Sequence, residues 1–335
     1  VVVINGNTTI TTKGIMRFIL CIFYILVLSG CQSFIAYQIT QPVEEISYGG
    51  PDDPMLNTVY EGIPHKTCNT MHNCIAVRIF SHNDLIEYFE QGEQFGITFQ
   101  LKSKEEMETF ETTLTSINGA KQKNDSAIIL FPGYGVSSLI YSFQARWLSH
   151  FTGKDVILMP ASNQYSEFKF GLNSLDVLKH YLNTNQYQQI DILSYSMGSI
   201  AAMQLAKQMP NVKQQIMVAP MVHFDTALMS VAKSYHPTLS YFIKDNDFKN
   251  AAKNVIQNSA IDETQLDLIA LLNGKQSANR TTLYVSNADP ISPASYWQAL
   301  QNKSVSIVHY SNLDHTRMVS LINQAMRNEV LHRLM

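Results

Sequence analysis

The chain has 335 residues, 45% of them hydrophobic and only 15% charged, so apolar material for a large core is ample. A formal net charge of −3 gives no global attraction to nucleic acid. The sequence also lacks zinc-type Cys/His spacing, a phosphate-loop glycine pattern and a solenoid period, which leaves a globular body acting without nucleic acid.

Residues 1–15 are polar and carry no starting Met; they read as upstream sequence. Met16-Arg17, with Lys13 just before, opens an apolar run from Phe18 to Leu28. Such a run is shorter than the roughly 20 residues that span a bilayer but suits a signal-peptide core. It closes in Leu28-Ser29-Gly30-Cys31, which resembles a bacterial lipobox. That resemblance implies that Cys31 becomes the lipidated first residue of an exported protein. Gln32 is not the Asp that goes with inner-membrane retention, which implies an outer-membrane anchor facing the periplasm. Residues 1–30 are then leader, 31–66 a tether punctuated by Pro42, Gly49-Gly50-Pro51, Pro54 and Pro64, and 67–335 the working domain. Cys21 leaves with the leader, so Cys68 and Cys74 remain as a close pair. In an oxidising compartment they read as a disulfide, stabilising the fold by about 2 kcal/mol. The other reading, a metal held with His72, lacks a second pair of ligands.

Within the domain, residues 75–80 read as a strand and 83–90 as a helix carrying Leu85, Ile86 and Phe89. Ile97, Phe99 and Leu101 alternate with polar residues as in a half-buried strand. Ser103-Lys104-Glu105-Glu106 resembles a capping box, and Met107, Phe110, Leu114 and Ile117 share one helical face that Asn118-Gly119 would end. From Ser126 the pattern is regular: strands at 127–131, 156–159, the run into residue 195, 216–219, 282–286 and 305–310, with helices between. Strands alternating with helices predict a mostly parallel central sheet with helices on both faces. Residues 222–279, helical and rich in Leu228, Met229, Leu239, Tyr241 and Phe242, predict a lid inserted before the last two strands, at the sheet edge where ligands bind.

Ile190 to Ala202 reads as strand, sharp turn and helix, with Ser196 at the apex and the small residues Ser194 and Gly198 two places either side. This resembles the G-x-S-x-G nucleophile elbow of the α/β-hydrolase superfamily, with Ser194 where the first Gly usually stands. Asp289 follows one late strand and His315 the next, and the order Ser196, Asp289, His315 is that of the superfamily. The resemblance implies a serine hydrolase of the esterase, lipase and lysophospholipase-like branch. Ser196 would be the nucleophile, His315 the base and then the acid, and Asp289 the residue that orients the imidazole. It also implies an oxyanion hole from the backbone N–H groups of Met197, directly after the nucleophile, and of Tyr134, in a Pro132-Gly133-Tyr134-Gly135 turn that lacks the usual leading His. Asp225 is the rival acid, Asp314 reads as a turn former, and His309 as a residue of the last strand. His223 and His236, in the insertion, are placed to touch substrate. No cofactor or metal is implied; the expected partner is a small acyl substrate, and the protein is expected to be a monomer. The same residues would serve acyl transfer to an alcohol or amine. A non-catalytic envelope protein keeping the fold for binding is the reading from a different class.

Overall fold

The computed structural model describes residues 31–41, 59–81, 92, 94–103, 106–115, 125–235, 243–274 and 279–335. The leader, the expected 83–90 helix and His236 lie outside them. Strands β1 (Ile63–Cys68) and β2 (Cys74–Phe80) form a hairpin closed by the Cys68–Cys74 disulfide. A separate hairpin pairs β3 (Gln94–Ser103) with β4 (Glu106–Thr115). Strands β5 (Ser126–Phe131), β6 (Asp155–Leu158), β7 (Gln189–Tyr195), β8 (Val212–Val218), β9 (Arg280–Ser286) and β10 (Val305–Tyr310) complete an eight-stranded sheet. Its order is β1-β2-β6-β5-β7-β8-β9-β10. From β6 to β10 all pairings are parallel, and β2 runs antiparallel to β6.

Helices cover both faces. On one side Ile128 and Leu130 of β5 pack with Leu148 of α2 (Ser142–Thr152) and with Val330 of the C-terminal helix Gln324–Leu334. On the other, Ala127, Ile129 and Phe131 pack with Leu178 of α3 (Leu175–Thr184) and Leu205 of α4 (Gly198–Gln208). Every residue of β5 is buried, which is why it reads as an uninterrupted apolar run. Each such Leu or Ile withdrawn from water stabilises the fold by about 1.5–3 kcal/mol. Between β8 and β9 stand α5 (Phe224–Tyr235), α6 (Asp245–Ser259) and α7 (Leu268–Asn273). The C-terminal helices are α8 (His315–Val319) and α9 (Gln324–Leu334). At the foot of the sheet the buried Lys154 Nζ donates to Asp191 Oδ2 on β7 and, at 2.6 Å, to the Leu334 carbonyl of α9.

Two expectations are corrected. The helix predicted after residue 103 is strand β4: Phe110 and Leu114 are buried while Met107, Thr109 and Glu111 are exposed. Apolar residues four apart satisfy a strand face as well as a helix face, and the threonines at 109, 112, 113 and 115 favour the strand. The start of the 31–66 tether is instead helix α1 (Cys31–Thr40), with Ile35, Ala36 and Ile39 buried in one apolar cluster with Phe248 and Val255 of α6. A ten-residue segment with three buried apolar residues on one face is docked, not slack.

Candidate active site

Strand β7 ends at Tyr195 and α4 begins at Gly198, so Ser196 and Met197 make the whole turn. Ser196 sits at φ 48°, a left-handed conformation that costs a non-glycine residue about 1–2 kcal/mol. It is held there on both sides. Its N–H donates to the Val218 carbonyl at 3.0 Å, and its own carbonyl accepts from Ser199 at 3.1 Å and Met221 at 3.2 Å. A Cβ on Gly198 would lie 2.3 Å from the Pro132 carbonyl oxygen and 2.7 Å from that of Phe131, so only glycine fits. Ser194 is fully buried, and its Oγ is 3.2 Å from Ser199 Oγ and 3.4 Å from the Ile216 carbonyl. A serine is tolerated at this place because its hydroxyl has partners on the following helix and the adjacent strand.

Asp289 lies in the turn after β9. Its Oδ1 accepts from the N–H groups of Ile291 at 2.8 Å and Ser292 at 3.0 Å, while Ser292 Oγ donates to the Pro220 carbonyl. That leaves Oδ2 to face His315 Nδ1 at 2.8 Å. His315 is the first residue of α8, whose N-cap Asp314 accepts from the Arg317 N–H at 2.9 Å, as a turn former should. His315 Nε2 stands 3.1 Å from Ser196 Oγ. Residues 93 and 119 positions from Ser196 are thus brought into one line at the ends of strands β7, β9 and β10. A carboxylate only accepts, so Nδ1 carries the proton and Nε2 presents a lone pair to the serine hydroxyl. Ser196 and His315 are each 9% exposed and Asp289 1%, so the whole line is buried. Chemically the arrangement can withdraw a proton from Ser196 as its oxygen attacks an electrophile.

The other predicted residues sort as follows. The rival Asp225 accepts from Thr226 N at 2.8 Å and has no contact with His315. Gly135 needs its glycine, at φ 86°, whereas Gly133 has no positive φ and stands out only because a Cβ there would lie 3.4 Å from Ser196 Cβ. Tyr134 follows directly on Gly133, and Met197 on Ser196. Neither backbone N–H has an acceptor among the described residues. His309 is exposed on the edge strand β10. His223 is exposed with its ring against Tyr296 at 5.3 Å, remote from the Ser196 line in its contacts. Met197, Met221 and Ile291 join Phe224, Ile243 and Phe248 in the apolar cluster that α1 also enters.

Three contacts that frame the site had no signal in the sequence. Tyr134 Oη donates to the Ile39 carbonyl of α1 at 2.8 Å, and burial pushes its pKa up to about 12. Glu108 of β4 holds Arg317 of α8 at 2.9 and 3.0 Å. The buried Gln144 accepts from Tyr195 Oη and donates to the Val319 carbonyl at 3.2 Å, joining the residue before Ser196 to the helix that begins with His315. Each joins segments far apart in sequence, and each uses a residue type common on any surface.

No family model matches this sequence, and no curated protein is similar to it in sequence. Among solved structures the chain is similar to an esterase of Pyrococcus furiosus, with a TM-score of 0.55 and 10% identity over 88% of this chain and 96% of that one. A second crystal form of that esterase gives 0.54 and 12% over 88% and 98%. The fold is that of the α/β-hydrolases. An α/β-hydrolase enzyme from a Medee basin deep-sea metagenome is similar with a TM-score of 0.45 and 15% identity over 73% and 95% of the two chains. In α/β-hydrolase terms β2 is the antiparallel strand, β7 the strand before the elbow, and α5–α7 the insertion ahead of the last two strands.

Proposed function

We propose that the protein is a serine hydrolase that cleaves a carboxylic ester or related acyl compound through an acyl-Ser196 intermediate. The observation that carries this reading is the line Asp289 Oδ2, His315, Ser196 Oγ, with separations of 2.8 and 3.1 Å. His315 Nε2 takes the Ser196 proton as Oγ attacks the acyl carbon, and the carbonyl oxygen gains the electron pair. The N–H groups of Met197 and Tyr134 receive that oxyanion; a donor in this position is worth about 3–4 kcal/mol of barrier. His315 then returns the proton to the departing alcohol. A water deprotonated by the same nitrogen releases the acid and restores Ser196. Helices α5–α7 serve as the lid, and the apolar cluster beneath them favours an apolar acyl group. The likeness in fold to an esterase supports the reaction class.

A fluorophosphonate probe tests this. Wild-type protein should be labelled at Ser196, and S196A and H315A should not; an unlabelled wild type, or equal labelling of S196A, ends the proposal. The reading includes envelope anchoring through a lipid on Cys31. Metabolic incorporation of a clickable fatty acid should mark the wild type and not C31S, and a wild type left unmarked in a lipoprotein-processing host removes the anchor.

A further inference from the structure

The turn after β5 lacks the histidine that commonly braces it in α/β-hydrolases, yet it is braced. Gln164, in the loop after β6, directs Oε1 at two backbone donors: Ala161 N at 2.8 Å and Ser138 N at 3.1 Å. Its neighbour Asn163, 1% exposed, has Oδ1 at 3.5 Å from Gly135 N. Two consecutive side chains from one loop thus hold the other loop at Gly135 and at Ser138, just downstream of Tyr134. We propose that Gln164, assisted by Asn163, is the positioning residue that sets the Tyr134 N–H toward the acyl oxygen, in place of the missing histidine. The inference rests on the reading that this N–H receives the oxyanion.

The orientation of the Gln164 amide is fixed by its surroundings. Two N–H groups converge on one oxygen, and turning the amide over would set its NH2 against both. Nε2 finds no acceptor among the described residues, so the side chain is held by its acceptor end. The same side chain lines a cavity of about 310 Å³ between β2 and the 158–166 loop, with Arg78 and Tyr165 on its wall. That side of the amide therefore faces open space. Ser138 opens the 3-10 turn Ser138–Tyr141, and the ring of Tyr141 stacks on Tyr195 at 4.8 Å. A shift at Ser138 is therefore resisted at Tyr141 and passes back toward Tyr134. Displacing a catalytic donor by about 1 Å can cost up to 100-fold in rate.

The test uses Q164L, Q164E and S138P in the full chain. Q164L removes the acceptor at similar volume, and Q164E retains an acceptor for both N–H groups. S138P deletes the Ser138 donor without touching Gln164, at a first helical position where proline fits, after Ser137 at φ −60°, ψ 138°. Rates are measured on one ester and on its thionoester, whose sulfur is a poor acceptor and gains little from an oxyanion hole. Q164L and S138P should each lower kcat for the ester roughly tenfold with KM within about twofold, and the double variant should be no worse than either. Thionoester rates should change less than about threefold, and Q164E should recover most of the ester rate. Unchanged kcat in both Q164L and S138P overturns the proposal; so does an equal fall on ester and thionoester, or losses that multiply in the double variant. If fluorophosphonate fails to label the wild type, the serine-hydrolase reading itself fails; a labelled wild type with Q164L and S138P both unimpaired removes only the positioning role.

Discussion

The two ends of β7 each carry a buried polar constellation, and they differ in what is left over. At the foot, Asp191 meets Lys154, and the same ammonium also reaches the Leu334 carbonyl; the group is enclosed, with Lys154 2% and Asp191 3% exposed. At the head, Asp289 and His315 lead to Ser196, which stands at φ 48° in the turn between β7 and α4. The foot resembles a rivet, since each charge is neutralised by its partner and nothing can enter. The head has the same kind of acid–base contact but ends in a hydroxyl oxygen, on a residue with a left-handed backbone. Burial and pairing alone therefore do not single out a candidate site; a chain of bonds that ends on a nucleophilic oxygen at a strained turn does.

The contrast is broken most directly at the head. S196A should lower turnover by on the order of 10⁴-fold or more, with a thermal midpoint within a few degrees of wild type. D289N should cost on the order of 10⁴-fold, because an amide NH2 facing Nδ1 favours the wrong imidazole tautomer. Steady-state kinetics beside a melting curve read both; a large loss of stability with either would assign the head a structural role. At the foot the opposite pattern is expected. K154M should destabilise by about 3–5 kcal/mol in a denaturant titration, since it strands the Asp191 carboxylate in the core. The double variant K154M/D191L should regain much of that loss, and the folded protein should keep its kcat. Farther from β7, reducing the Cys68–Cys74 disulfide should lower stability by about 2 kcal/mol and leave specific activity unchanged. The last effect is alkaline. Burial raises the Tyr134 pKa to about 12 and that of Tyr195 well above the ordinary value, so the unfolded chain loses these protons first. Stability is then intact below about pH 10 and declines as pH rises toward 12, which a set of melts at increasing pH would follow.

Much of the region around β7 was legible in the sequence, for physical reasons. Strands β5 to β8 are covered on both faces, so burial is written as continuous apolar runs. Gly198 is legible because a backbone oxygen occupies the place of its side chain. Ser196, Asp289 and His315 follow their strands at once, so fold and order together point to them. The front of the chain was less legible. The spacing of Phe110 and Leu114 fits two periodicities; the threonines around them lean to the strand, and the pairing with β3 decides. Helix α1 is held by a cluster whose other members lie more than a hundred residues away, and the prolines after it suggested a tether. Gln164 and Gln144 act through amide oxygens aimed at backbone and hydroxyl groups, a role that no residue type announces.

Gly198 has one more consequence, and it concerns motion. With the carbonyl oxygens of Phe131 and Pro132 crowding its α-carbon, the elbow helix and the β5 turn are in backbone contact with no side chain to cushion them. They must then fluctuate as one body, like the jaws of a locked calliper, and the gap between the amides of Tyr134 and Met197 stays constant while the surrounding helices breathe. In hydrogen exchange the bonded amides that brace this contact, Ser196 to the Val218 carbonyl and Ser199 to the Ser196 carbonyl, should open only with the sheet, on a slower clock than α1 or α5–α7.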